Sequence, residues 1–208
     1  MKPAHLLASL TAALLLCATA PLANCADNTN KPKPWETLTD CEYVAAKYND
    51  ADSFRVRSGD KEFVVRLYYV DAPESTMNYP ERVRQQSEHY GITMDETLKA
   101  GARAAERVHE LLKTPFVVRT RWANAAGRGG DGRYYGFIEV GGKSLAEILV
   151  SEGLAQTKGI SPNLPDGRKA SAYKLALLEL EQFARQKHLG AWATTQETKS
   201  EKTEKNET

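Results

Sequence analysis

The run KEFVVRLYYV (61–70) constrains the fold more than any other part of the 208-residue chain. Its apolar side chains fall on both parities, with Phe63, Val65 and Leu67 on one and Val64, Tyr68 and Val70 on the other. A strand of that pattern has to be covered on both sides. Asp71-Ala72-Pro73 closes the run, and Ser58-Gly59-Asp60 opens it with turn chemistry. Upstream lies a second β-rich run, SFRVRS (53–58), so Gly59-Asp60 reads as a two-residue hairpin loop between two antiparallel strands. CEYVAAKY (41–48) reads as the strand before them, ended by Asn49-Asp50.

A polar stretch, 74–94, follows without clear periodicity. Apolar or small residues at 98, 101, 102, 105, 108, 111 and 112 then mark a helix over 95–113. PFVVRTRW (115–122) and RYYGFIEV (133–140) are strands four and five, separated by the glycine-rich loop AAGRGGDG. A short helix over 143–152 stops at Gly153, and a last one over 168–188 offers Tyr173, Leu177, Leu180 and Ala184 for burial. The fold class is α+β: five short strands with a helix after the third predict a small closed five-stranded barrel of the OB-fold type, with three helices. Trp122 and the tyrosine pairs 68–69 and 134–135 have the chemistry to stack bases, but at strand positions they read as core.

The two ends contrast with this core. Residues 1–26 run from Lys2 through LLASLTAALLLCATA to small residues, and read as a secretory signal too short to span a bilayer. Leu22-Ala23-Asn24-Cys25 is similar to a bacterial lipoprotein box, so lipid anchoring at Cys25 is the lesser reading. Residues 27–36 form a linker and 37–193 the folded domain. The tail 194–208, with ETKSEKTEKNET at its end, is charged and has too little apolar surface to fold. With 28 basic and 27 acidic residues the chain is neutral, and its core stays so after trimming. That excludes proteins that hold nucleic acid by bulk charge, not enzymes that need a local grip. Three cysteines are too few for a disulfide scaffold, and His89, His109 and His188 lie too far apart for a zinc pattern.

One cluster remains to be explained. If Ser58 pairs with Lys61, Ser53 lies opposite Arg66 and Asp52 opposite Leu67, with Asp71 and Glu74 beyond the same end. Arg66 is a guanidinium within an apolar run and has to be paired or meet an anion. Two aspartates without cysteine or histidine suit a hard cation such as calcium or magnesium. A glutamate and arginines beside them would complete a phosphoryl-transfer site. Taken singly, each residue has a plainer explanation: turn aspartates at Asp50 and Asp52, a strand-end Asp71, and an Arg66–Glu74 salt bridge.

Taken in order, Asp50-Ala51-Asp52-Ser53, then Arg66-Leu67-Tyr68-Tyr69-Val70-Asp71-Ala72-Pro73-Glu74, then Gly132-Arg133 before a strand resemble the staphylococcal-nuclease-like (thermonuclease) family. Its usual signatures are D-G-D-T, R-L-x-x-(V/I)-D-x-P-E and Y-G-R. Gly153-Leu154-Ala155 and Leu189-Gly190-Ala191-Trp192 add to the likeness. The resemblance implies a calcium-dependent nuclease, with DNA and RNA as substrates and 3′-phosphates as products. It assigns calcium to Asp52, Asp71 and the backbone carbonyl of Ala72, water activation to Glu74, and the scissile phosphate to Arg66 and Arg133. The departures are Ala51, Ser53 and Ala72 in the motifs, Asp131 before Gly-Arg, and Gly159 and Ser161 where the family carries nucleotide-flanking tyrosines. Arg128 rivals Arg133, which is preferred because it directly precedes the strand. Arg82 and Arg84 have the chemistry to touch substrate, but read rather as solvated surface. The combined expectation is an exported enzyme, monomeric for want of an apolar surface. The alternative is a non-catalytic barrel module that binds nucleic acid or a protein.

Overall fold

The computed structural model describes residues 32–126 and 132–193. The expectations for the signal, Cys25, the tail, Arg128 and Asp131 lie outside these residues. Five strands carry the architecture. They are β1 (Glu36–Tyr43), β2 (Ser53–Ser58), β3 (Lys61–Leu67), β5 (Phe116–Asn124) and β6 (Arg133–Val140), with the short β4 (Val70–Asp71) following β3. The β2–β3 hairpin turns at Gly59, whose φ of 56° lies in the left-handed region that glycine adopts freely. Its register is the expected one, from Ser58 opposite Lys61 to Ser53 opposite Arg66. The sheet runs β3-β2-β1-β5-β6, with the two-residue β7 (Lys143–Ser144) added beside β6, and parallel pairing of β6 back onto β3, from Val64–Arg133 to Leu67–Gly136, closes the five-stranded barrel.

Strand β1 departs from the expected 41–48 by starting earlier and ending at Tyr43. A bulge between Leu38 and Cys41 lets its front half pair with β5 and its end with β2. Beyond it, the Asn49 carboxamide donates to the Val44 carbonyl and accepts from the Arg55 amide, which turns 44–49 into a loop. Run 61–70 also divides. Leu67 ends β3 and Tyr69 takes a φ of 70°. Val70–Asp71 then leaves the barrel to pair with β8 (Gln156–Thr157). Within β3 the burial alternates, with Phe63, Val65 and Leu67 inside and Val64 and Arg66 half-buried. Tyr68 and Tyr69 are buried as core residues, Tyr68 stacking on Tyr135 at 4.9 Å, and Trp122 packs on Phe63 at 4.9 Å.

Four helices, not three, surround the barrel: α1 (Pro80–Tyr90), α2 (Met94–Leu111), α3 (Leu145–Ser151) and α4 (Ala170–Gln186). The additional one, α1, lies in the stretch that showed no periodicity. It starts with a proline in its first turn and ends at Gly91 in the left-handed conformation. It buries Val83, Gln86, Ser87 and Tyr90, a helical stripe in which two of the four residues are polar. Tyr90 packs against Trp192 of the closing 3₁₀ turn (Gly190–Trp192), with ring centres 4.6 Å apart. Helix α2 begins in a capping box of Thr93 and Glu96. Its buried face is Thr97, Ala100, Gly101, Ala104 and Val108, rotated from the expected one because its small residues leave the phase ambiguous. In α4 the expected Tyr173, Leu177 and Ala184 are buried and Leu180 packs partly against the core.

Gly101 is where α2 meets the Asp-Ala-Pro-Glu segment. A β-carbon there would lie 2.6 Å from the Pro73 carbonyl oxygen and closer still to that of Glu74. Alanine ordinarily gains about 1 kcal/mol over glycine inside a helix. At Gly101 the steric clash reverses that sign, so Gly101→Ala is expected to lose about 1–3 kcal/mol in denaturant unfolding. A stability equal to or above that of the parent would refute the close approach.

Candidate active site

The hairpin's open end gathers charged side chains from four parts of the fold. Asp52 sits one residue ahead of β2, and its carbonyl accepts the Leu67 amide at 2.8 Å, which fixes it beside β3. Arg66 reaches two aspartates: one guanidinium nitrogen donates to Asp52 Oδ1 and the other to Asp71 Oδ1 at 2.8 Å. The remaining Asp52 oxygen accepts the Ala72 amide at 2.8 Å. Both aspartates are buried and the Arg66 side chain is only 14% exposed. The turn at Tyr69 and the pairing of Val70–Asp71 with β8 therefore bring Asp71 into contact with Arg66, which the hairpin pairing alone does not require.

Arg133 joins from β6. Its Nε donates to the Ser53 hydroxyl at 2.9 Å and its Nη1 to the Ala126 carbonyl at 2.9 Å. Ser53 is the cross-strand partner of Arg66, so this bond brings Arg133 to the same end of the hairpin. Among the described residues no carboxylate lies within ion-pair distance of Arg133. Burial, followed by the nearby Arg66 charge, lowers its pKa from the ordinary arginine value. A guanidinium so placed favours the arrival of an anion.

Three side chains that the sequence reading passed over complete the cluster. Arg82 of α1 is not a solvated surface charge. Its Nη2 pairs with Asp71 Oδ1 at 2.9 Å and its Nε with Glu74 Oε1 at 2.8 Å. The considered Arg66–Glu74 salt bridge is not formed, because Arg66 is taken by the aspartates and Glu74 by Arg82. Arg84, two residues on, does stay at the surface and pairs with Glu81 and Glu88 of its own helix. Gln86, buried under α1, accepts the Glu74 amide at 2.8 Å and donates to the Ala72 carbonyl at 2.9 Å and to Asp71 Oδ2 at 3.3 Å. Gln156 of β8 donates to the same Asp71 oxygen at 3.0 Å. The only signal for these residues was a polar pair, Gln86-Ser87, within an otherwise apolar stripe at helical spacing.

The electrostatics divide the acids. For Asp71, burial alone would raise the pKa, but Arg82 and Arg66 reverse the sign and hold the carboxyl below its usual value. Asp52 goes the other way: burial outweighs Arg66, and Asp71 adds to the rise. Asp50, whose Oδ1 accepts the Ala51 amide, is pushed up to about 7 by burial and then by the Asp52 charge. Four carboxylates (Asp50, Asp52, Asp71 and Glu74) thus meet the guanidiniums of Arg66 and Arg82, and the Lys158 ammonium lies 3.8 Å from Asp71 Oδ2.

A family model described as staphylococcal nuclease homologue matches residues 64–194. The chain belongs to that family. The match contains Arg66, Asp71, Ala72, Glu74 and Arg133, and starts after the Asp50–Ser53 motif. A comparison with individual curated proteins gave no match. The family's nucleotide-flanking positions, Gly159 and Ser161, lie on a segment bound to Tyr69: the Tyr69 amide donates to the Ile160 carbonyl and the Lys158 amide to the Tyr69 carbonyl. No aromatic side chain occupies either position.

The family is generally calcium-dependent, and the donor chemistry fits such an ion. Among the described residues no three His, Cys, Asp or Glu side chains form a ready-made cage. Asp52, Asp71 and the Ala72 carbonyl nevertheless offer an all-oxygen donor set, and water can supply the remaining ligands of a hard cation. Among the described residues no helix is long and apolar enough to cross a membrane.

Two outcomes follow from this geometry. Gln86→Leu, similar in size, strands the Glu74 amide, and should cost about 2–3 kcal/mol in unfolding and remove that amide's protection from hydrogen exchange. Retained protection would show that Gln86 does not hold the segment. The second concerns Asp50, whose folded pKa of about 7 exceeds the unfolded value. The folded state then binds the extra proton, so this group's contribution to stability falls as pH rises from about 4 to 7. In chelator, Asp50→Asn should gain stability over the parent through that window and keep a constant advantage above it. A pH-independent difference would remove the assigned shift.

Proposed function

We propose that the protein is an exported, calcium-dependent nuclease that hydrolyses phosphodiester bonds of DNA and RNA and leaves 3′-phosphates. The observation that carries this reading is the convergence of Asp52, Arg66, Asp71 and Glu74 on one end of the barrel, with Arg133 joined through Ser53. Asp52, Asp71 and the Ala72 carbonyl would hold calcium, which when bound supplies Lewis-acid charge beside the scissile phosphate. Glu74 orients the attacking water and takes its proton. Water oxygen bonds to phosphorus, the bond to the 5′-oxygen breaks, and that oxygen leaves as a hydroxyl after protonation. Arg66, held rigid by its two aspartates, and Arg133, lacking a carboxylate partner among the described residues, stabilise the charge that develops on the phosphoryl oxygens.

Export by the 1–26 segment suits the metal, because extracellular calcium sites work at dissociation constants of about 10⁻⁴–10⁻³ M. Neutral overall charge suits an enzyme that releases its strand, and a monomer is the proposed state. The chain lacking 1–26, given single-stranded DNA or RNA, should cleave with calcium, not with chelator, and should produce 3′-phosphate ends. Absence of calcium-dependent cleavage would overturn the reading in favour of a binding module. Arg66→Ala and Glu74→Gln should each reduce kcat by at least about 10²-fold. A loss below about tenfold would reduce these residues to structural ion pairs.

A further inference from the structure

Arg82 differs from Arg66, the site's other carboxylate-bridging arginine, in where it comes from and how far it is exposed. It stands on α1, and its planar fork bridges two carboxylates of different segments, Asp71 at 2.9 Å and Glu74 at 2.8 Å. Its side chain is 44% exposed, against 14% for Arg66, so it lies at the mouth of the site and not beneath it. The two carboxylates it holds are those to which the proposed nuclease assigns metal binding and water activation. Neither group is free for that task while Arg82 occupies Asp71 Oδ1 and Glu74 Oε1.

Arg66 donates to the same Asp71 oxygen at 2.8 Å but is buried and tied to Asp52 as well, so a cation loaded on Asp71 would displace the exposed Arg82, by competition for that oxygen and by like-charge repulsion. The helix itself need not move. Its hold on the fold comes from buried Val83, Gln86 and Tyr90, and the Arg82 amide is fixed to the Tyr79 carbonyl at 3.0 Å. Only the side chain has to swing. It would then stand near Arg66 and Arg133, with one of its two anions taken by the metal, and require another. An arginine fork at the mouth of a phosphodiester site meets that need with a bidentate pair to phosphate oxygens.

We propose that Arg82 is a third phosphate-binding arginine, paired with Asp71 and Glu74 in this structure and transferred to a backbone phosphate of the nucleic acid when the cation binds. This rests on the nuclease reading. The simpler role is a latch that ties α1 to the barrel. The two differ in what removal of Arg82 does to ligands.

The test compares the parent, Arg82→Ala, Arg82→Lys and the surface control Arg84→Ala in three measurements. These are calcium binding by calorimetry without nucleic acid, anisotropy of a short cleavage-resistant phosphorothioate DNA strand with calcium, and steady-state cleavage of the natural strand. Arg82→Ala should bind calcium several-fold more tightly, because a competing cation is gone. It should bind the phosphorothioate strand at least about tenfold more weakly and raise KM accordingly. Arg82→Lys should recover part of the strand binding, and Arg84→Ala should match the parent throughout. If Arg82→Ala lowers only the unfolding temperature, Arg82 is a latch and the proposal is overturned. Tighter calcium binding with unchanged strand binding would overturn it too, leaving a placeholder for the metal. Should the parent bind the strand through Arg82 yet cleave nothing, the phosphate site stands and the nuclease reading falls. Should it cleave while strand binding is indifferent to Arg82, the reverse holds.

Discussion

The Arg66 guanidinium between Asp52 and Asp71 is the contact on which this end of the barrel depends. A charge buried in an apolar run is tolerated only when paired and hydrogen-bonded. Here the pairing partners lie on opposite sides of it in the chain, one entering β2 and one leaving β4. Satisfying Arg66 therefore ties the start of the hairpin to the segment after it. The same demand sets the position of everything attached to Asp71: the Ala72 carbonyl, the Glu74 backbone and, through Gln86 and Gln156, helix α1 and strand β8. Like other buried pairs, the ion pair adds little net stability over an apolar replacement, but losing one partner would leave an uncompensated charge that the surroundings cannot solvate.

Local physics made much of this readable in advance. A two-residue turn with glycine and the period of two together set the β2–β3 register, and that register put Ser53 beside Arg66. The spans of β2 and β6 follow directly from β-branched and aromatic content. What the sequence did not show was the return of Asp71 onto Arg66. That return needs Tyr69 at a φ of 70°, a conformation uncommon for a bulky residue. It is held there by main-chain bonds to Lys158 and Ile160, far along the chain. No local pattern encodes a constraint that arrives from another segment.

Helix α1 was hidden for a related reason. A hydrophobic stripe is the signal for a surface helix, and α1 replaces half of its stripe with Gln86 and Ser87. Its first turn has no side-chain cap, so that marker is missing as well. Yet Gln86 is buried because it is polar: the Asp-Ala-Pro-Glu segment presents an unpaired amide and carbonyl that need a partner with both a donor and an acceptor. The residue that obscured the helix in the sequence is the one through which the helix reaches the site. Arg82 was misassigned on the same ground, since a charge outside any recognised element reads as solvent-facing.

These observations also change the meaning of the chain's neutrality. The 28 basic and 27 acidic residues are not simply spread to cancel. At the site, Asp50, Asp52, Asp71 and Glu74 meet Arg66, Arg82 and Lys158, with Arg133 bound to Ser53 beside them. Burial, and after it the Asp52 charge, leaves Asp50 with a pKa near 7. On the proposed nuclease reading, a divalent cation and a phosphodiester would arrive together, adding two positive charges and one negative. The metal would then take the carboxylate oxygens, and the phosphate would meet the displaced guanidinium. A cluster built this way needs no basic surface to attract its substrate strongly. It needs carboxylates that can exchange a guanidinium for a metal as the phosphate arrives, and that exchange is set by the few residues around Arg66.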